Sequence, residues 1–191
     1  MDALLLLTAD HNRVRGLFAR FEAAHEAEDV ERMAELGALI LTELAVHTEI
    51  EEQVLYPAVK ALGEELAELV AEGVEEHHVV DVLAEEIKAL PVDDEAWAAK
   101  MTVLVENVEH HAKEEEQEMF LQVRSAMTSQ ALVELGELLE AKKAELGAPT
   151  VADKEALGTD ALRQLATEQE IPGRSSMNRE ELLATVAPSS S

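Results

Sequence analysis

Cysteine is absent from the 191 residues, which excludes disulfides, thiolate metal ligands, iron–sulfur clusters and a cysteine nucleophile. Any metal must therefore be held by nitrogen and oxygen. Basic residues are scarce: 15 Lys and Arg stand against 41 Asp and Glu, a formal charge of -26. Such a surface repels a phosphate backbone or an anionic membrane, so neither is an expected partner. Long apolar runs are missing as well. The amino-terminal run, Leu4 to Leu7, follows Asp2 and leads into Asp10-His11. It is too short for a signal peptide or a membrane span, and a cytoplasmic protein is expected. The length allows one well-buried core of about 150 residues with a small appendage.

What is present is helical periodicity. Leu4, Leu7, His11, Val14, Phe18 and Phe21 step by three and four behind a capping Asp2, the spacing of one helix face. A second stripe begins near Asp29 and runs to about Tyr56, with Leu36, Ile40, Leu44, His47 and Glu51 on its inner side, and Pro57 bends it into a short segment closed by Gly63. A third runs from Glu64 to Leu90 through Val70, His77 and Val80, and a fourth from Asp94 to about Met127 through Trp97, Leu104, His111 and Glu115. Four long amphipathic helices with short connections predict an all-α, up-down-up-down four-helix bundle. An additional helix over Gln130 to Leu146 packs along one side, and a small C-terminal helical unit follows. The expected organisation is a bundle over 1–147, a linker over 148–158, a helical module over 159–187 and a flexible tail over 188–191.

The bundle reads as a duplicated hairpin. His47-Thr-Glu-Ile-Glu51-Glu52 returns as His111-Ala-Lys-Glu-Glu115-Glu116, offset by 64, and Asp10-His11-x-x-Val14 returns as Glu76-His77-x-x-Val80, offset by 66. Each His-x-x-x-Glu puts an imidazole and a carboxylate on the same face of one helical turn. His11 and His77 complete the set. Duplication makes the symmetry-related side chains meet in the middle of the bundle. A lone histidine on an apolar stripe is ordinarily a core residue with a hydrogen-bond partner. Two glutamates aimed at a core change the reading, because a carboxylate is buried only when it is paired or binds a metal.

Six nitrogen and oxygen ligands in two symmetric groups suit a pair of ions. In the simplest arrangement each ion takes two imidazoles, Glu51 and Glu115 each give one oxygen to both, and a solvent-derived oxo or hydroxo bridge completes the pair. One coordination place stays open. The donor set fits iron, with manganese or zinc as alternatives. A redox-active pair with a vacancy binds or reduces dioxygen, nitric oxide or peroxide, and the apolar residues around it suit a neutral diatomic ligand.

These motifs, with Tyr56-Pro57 and Met119-Phe120 after them, resemble the hemerythrin-like, or HHE cation-binding, family over about residues 3–145. The resemblance implies a non-haem di-iron centre in a four-helix bundle, with Glu51 and Glu115 bridging and His11, His47, His77 and His111 as terminal ligands. Oxygen-carrying hemerythrins have a further histidine one turn after the third-helix ligand, where this chain has Asp81. That departure moves the expected function from oxygen carriage towards sensing of oxygen or nitric oxide, turnover of peroxide as an enzyme, or donation of iron in iron–sulfur repair. His25, His78 and His110 are expected on the surface, while Tyr56 either lines the pocket or fills the core. In the tail, Leu162 to Leu182 resembles the small amino-terminal helical domain of transcription terminator Rho, a relative in shape of SAP modules. This implies nucleic-acid contact through Arg174 and Arg179, but the acidity of the segment favours a packing or protein-interaction role.

Overall fold

The computed structural model describes residues 1–148, 159–168, 171 and 173–185. It is an all-α bundle with up-down-up-down topology. Its helices are α1 (Ala3–Glu26), α2 (Val30–Ile50), α3 (Tyr56–Lys60), α4 (Glu64–Lys88), α5 (Glu95–Glu114), α6 (Phe120–Ala126) and α7 (Ser129–Glu145). Side-chain caps start the long ones. Asp2 accepts from the Leu5 amide at 2.9 Å, Asp29 from Arg32 at 3.1 Å and Asp94 from Ala96 at 2.8 Å, each satisfying an amide that the first turn leaves free.

The second and fourth helices differ from the continuous helices expected. Between α2 and α3 lies a π-helical turn, Glu51–Leu55, and between α5 and α6 lies another, Glu115–Met119. In each the glutamate carbonyl accepts an amide five residues on, from Tyr56 and from Phe120. Pro57 is not the cause, because the second turn forms with Leu121 at the equivalent place. A widened turn brings both the fourth and the fifth residue after the glutamate to the inner face. Accordingly Leu55, Tyr56, Met119 and Phe120 are all buried.

The core has two apolar clusters. One contains Leu4, Leu7, Ile50, Leu55, Val70 and Met119, and the other Val14, Phe18, Ile40, Leu44, Val80 and Leu104. Each fully buried side chain of this size contributes about 1.5–3 kcal/mol. On every helix of the bundle the inward histidine falls between members of the two clusters, as His11 does between Leu7 and Val14. A polar layer is thus sealed between two apolar ones.

Helix α7 is the additional helix, packed on α1 and α2. Its close approach needs Gly136. A Cβ there would collide with the Met1 carbonyl oxygen and lie 3.0 Å from the Ala3 nitrogen. Alanine's better helix propensity is worth about 1 kcal/mol, less than the cost of moving backbone. Gly136→Ala is therefore expected to lower stability by about 1–3 kcal/mol in urea denaturation; unchanged or higher stability would contradict this packing.

In the C-terminal segment the described helices are α8 (Thr159–Glu168) and α9 (Arg179–Thr185), and α9 packs against α1. Leu162, Ala166, Ile171 and Leu182 form a small core of their own. Asn178 accepts from the Glu181 amide at 3.0 Å while the Glu181 carboxylate accepts from the Asn178 amide at 2.6 Å, a reciprocal cap. The expected linker over 148–158, apart from Ala148, and the tail over 188–191 lie outside the described residues. Among the described residues, no helix is long and apolar enough to cross a membrane.

Candidate metal centre

Helices α1, α2, α4 and α5 bring His11, His47, His77 and His111 into the polar layer, and the first residues of the two π turns add Glu51 and Glu115. All six are buried. The imidazoles form two pairs. His11 and His47 have their Nε2 atoms 3.0 Å apart with rings tilted by 69°, and His77 and His111 repeat this at 3.0 Å and 66°. Two nitrogens each about 2.1 Å from one ion, at roughly a right angle, are separated by about this distance.

The carboxylates span the two pairs. Glu51 Oε1 lies 3.3 Å from His47 Nε2, and Oε2 lies 3.4 Å from His77 Nε2. Glu115 Oε2 lies 3.4 Å from His11 Nε2, and Oε1 is 3.7 Å from His111 Nε2. Both oxygens of Glu51 and one of Glu115 are buried without any hydrogen-bond partner. Such orphaned acceptors normally cost free energy. A cation between the pairs would satisfy all three, so the residues present fit a metal.

The symmetry extends to the aromatic residues placed by the π turns. Tyr56 stacks on His77 with centroids 5.4 Å apart, and Phe120 on His11 at 6.1 Å. The tyrosine adds a hydroxyl, which donates to Glu115 Oε1 at 3.1 Å and lies 3.3 Å from His77 Nε2. Gly73 makes room for it, since a Cβ there would sit 2.9 Å from that hydroxyl. Tyr56 thus lines the site.

Around the six lies a ring of carboxylates for which sequence reasoning assigned no role. Glu116 accepts from His11 Nδ1 at 2.8 Å, Glu52 from His77 Nδ1 at 3.0 Å and Glu76 from His111 Nδ1 at 2.7 Å. Each bond holds the proton on Nδ1 and turns the Nε2 lone pair inward. The repeat carries the signal: Glu52 and Glu116 are offset by the same 64 residues as the two glutamates at the centre, and Asp10 and Glu76 by the same 66 as the histidines after them. Arg15 donates to the same Glu116 oxygen, Oε1, at 2.9 Å and to Oε2 at 3.3 Å, and reaches Glu109 at 3.1 Å. A basic residue is buried here too: Lys143 of α7 is 4% exposed. Its ammonium meets Asp10 Oδ2 at 2.5 Å, and Arg13 meets Asp10 Oδ1 at 2.8 Å.

Burial and proximity redistribute protons. Burial, then the Glu115 charge, pushes Glu51 up to about 8. Glu115 resists the same burial and is held below the usual carboxylate range by the charge of His111 and by His11 close beside it. His11 is raised to about 10: burial opposes its charge, but the nearby Glu115 carboxylate and the hydrogen bond to Glu116 outweigh it. Burial raises Asp10 too, and Lys143, then Arg13, more than reverse that and hold it well below its ordinary value.

Glu51 and His11 are both raised, from ordinary values of 4.5 and 6.5, so the folded metal-free chain keeps protons that the unfolded chain releases. The stability this provides is complete below those ordinary values and is lost as pH rises through about 8 for Glu51 and about 10 for His11. Metal-free protein should therefore melt at steadily lower temperature from about pH 5 to about pH 10. A flat or rising thermal-melting profile would contradict the assignment.

Space at the centre is small. A cavity of about 10 Å³ touches His11, Leu44 and His47, and one of about 20 Å³ touches Gly73, His111 and Glu115. Each accommodates roughly one water-sized molecule. A hollow of about 590 Å³ beside α2, lined by Leu41, Ala45 and Leu146 among others, contains none of the six residues. Asp81 is exposed, as are His25, His78 and His110, so Asp81 does not stand in for a fifth histidine. Arg174 donates to the Ile171 carbonyl at 3.2 Å within the C-terminal module.

A four-helix bundle with two buried imidazole pairs spanned by two carboxylates is the architecture of a cation-binding protein built from histidine and carboxylate donors. The chain belongs to the hemerythrin HHE cation-binding domain family, whose model matches residues 2–123. It is 27% identical over 143 residues to a DNA nickase of Nostoc sp. (strain PCC 7120 / SAG 25.82 / UTEX 2576), a match covering 74% of this chain and 39% of that protein. The chain therefore corresponds to well under half of that relative's length. The crystal structure of a hemerythrin HHE cation-binding domain-containing protein from Mycobacterium kansasii is similar in fold, with a TM-score of 0.61 and 22% identity over 97% of this chain and 99% of that one.

Proposed function

We propose that this chain is a non-haem di-iron protein that binds or senses a small ligand such as dioxygen, nitric oxide or peroxide. His11 and His47 would hold one ion and His77 and His111 the other, with Glu51 and Glu115 contributing to both. The observation that carries the reading is Glu51, fully buried, with both oxygens unpartnered and each facing a different histidine pair. When bound, the two ions supply redox chemistry and an open coordination place. The chain supplies four imidazoles turned towards the centre, two apolar layers that exclude bulk water, and small voids of about 10 and 20 Å³ beside the histidines.

Turnover of hydrogen peroxide is the second reading, favoured by the Tyr56 hydroxyl, which places a hydrogen-bond donor inside the site. DNA is not proposed as a substrate, despite the nickase relative, because a charge of -26 gives a phosphate backbone little attraction. The test is metal analysis of gently purified protein, with its optical spectrum recorded before and after reduction and exposure to oxygen. Two irons per chain and a spectrum that changes reversibly with oxygen or nitric oxide are expected. Less than one metal of any kind would overturn the reading, and steady gas evolution from peroxide would favour the enzyme.

A further inference from the structure

The duplication that builds the centre is broken at one place. Three of the four imidazoles have a carboxylate on Nδ1 within 3.0 Å, namely His11, His77 and His111. The fourth, His47, has none. Its Nδ1 is buried without a partner, and the residue standing where Glu76 stands in the other half is Asp10, whose Oδ2 is 3.9 Å away. Two features of the chain account for that gap. Aspartate is one methylene shorter than glutamate, and its carboxylate is drawn the other way, by Lys143 at 2.5 Å on Oδ2 and Arg13 at 2.8 Å on Oδ1. Among the described residues Glu76 has no comparable ammonium beside it, and its ion-pair partners are His110 at 3.9 Å and His111 at 2.7 Å.

The lysine is delivered by an element outside the family match. Helix α7 begins after residue 123, where that match ends. Gly136 seats it against Met1 and Ala3, and Lys143 lies seven residues further on, two helical turns, level with Asp10 two turns into α1.

We infer that the two ion positions are inequivalent, the His11–His47 position being the weaker and the later filled, because Lys143 of α7 holds Asp10 away from His47. A carboxylate on the far nitrogen of a metal-bound imidazole fixes its tautomer and strengthens it as a donor, and loss of such a partner lowers metal affinity about 10- to 100-fold. Asp10 and Lys143 act through His47 and are positioning residues. The inference rests on the di-iron reading and adds to it an order of filling and a preferred site of metal exchange.

The experiment is an anaerobic calorimetric titration of the metal-free full chain with Fe(II). Two steps of one ion each are expected, separated by about 10- to 100-fold in affinity. His47→Ala should remove the weak step and leave the tight one, and His111→Ala should do the reverse. Lys143→Met removes the charge that draws Asp10 away, and Asp10→Glu restores the length found at position 76. Each is expected to raise the weak step towards the tight one without moving the tight one, a change that general loosening of the fold would not produce. Two ions of equal affinity in the unaltered chain would overturn the inequivalence, and a weak step that disappears with His111→Ala would overturn its assignment to the His11–His47 position, both while leaving the di-iron reading in place. A single ion, lost in His111→Ala and kept in His47→Ala, would support the inequivalence and overturn the di-iron reading. No binding of Fe(II) at all would overturn both.

Discussion

Glu51→Ala is expected to abolish metal binding at both positions. Glu51 is the only one of the two central glutamates with neither oxygen hydrogen-bonded, and its oxygens face opposite histidine pairs. In the proposed di-iron centre, removing it would take a donor from each ion. Ligand linkage converts this into stability: at a free metal concentration about a thousandfold above the dissociation constant, the unaltered chain gains about 4 kcal/mol, which in a protein of this size is roughly 8–16 °C in Tm. The variant should gain almost nothing from added iron. Without metal the order narrows, because the unaltered chain carries a buried acid whose ionisation is suppressed until about pH 8. Thermal melts with and without Fe(II) check both parts, and a variant that is still stabilised by iron to the same extent would exclude Glu51 as a bridge.

Asp10→Ala should be among the most destabilising single substitutions in the metal-free protein. It leaves the Lys143 ammonium, 4% exposed, without its carboxylate, and removing one member of a buried ion pair costs about 3–5 kcal/mol. Lys143→Met should cost much less. Asp10 then keeps Arg13 at 2.8 Å, and methionine fills a similar volume without a charge to solvate. Arg13 itself keeps Glu43, its other carboxylate partner, so it does not add to the loss in Asp10→Ala. Chemical denaturation of the two variants separates the cases, and equal losses would show that packing, not the charge pair, dominates at this position.

The six central side chains converge as their spacing implied. Period-three-and-four placement on four helices, repeated with offsets of 64 and 66, leaves few ways for His11, His47, His77, His111, Glu51 and Glu115 to lie other than together. The π turns were less legible. A turn of helix widened by one residue leaves the preceding spacing intact, and the two adjacent apolar residues at each, Leu55-Tyr56 and Met119-Phe120, read equally well as ordinary helix. The partners of Nδ1 had a signal in the repeat, yet Glu52 and Glu116 sit beside the inward glutamates in sequence, where helical spacing alone assigns them no partner. Only the long reach of a glutamate side chain around the helix brings them back to an imidazole.

Lys143 carried no signal at all. It lies next to Lys142 near the end of α7, where basic residues commonly complement the helix dipole, and nothing local distinguishes the buried one from the exposed one. The sequence alone determined the helices, their caps, the duplicated hairpin and the donors that face inward, because those follow from periodicity and short-range hydrogen bonding. Where α7 docks, which lysine it buries, how Tyr56 reaches Glu115 past Gly73, and which of four equivalent-looking histidines lacks a carboxylate were decided by tertiary packing. Each of these depends on distances between helices far apart in the chain, and a difference of one methylene or one ångström there has no counterpart in the pattern of residues along it.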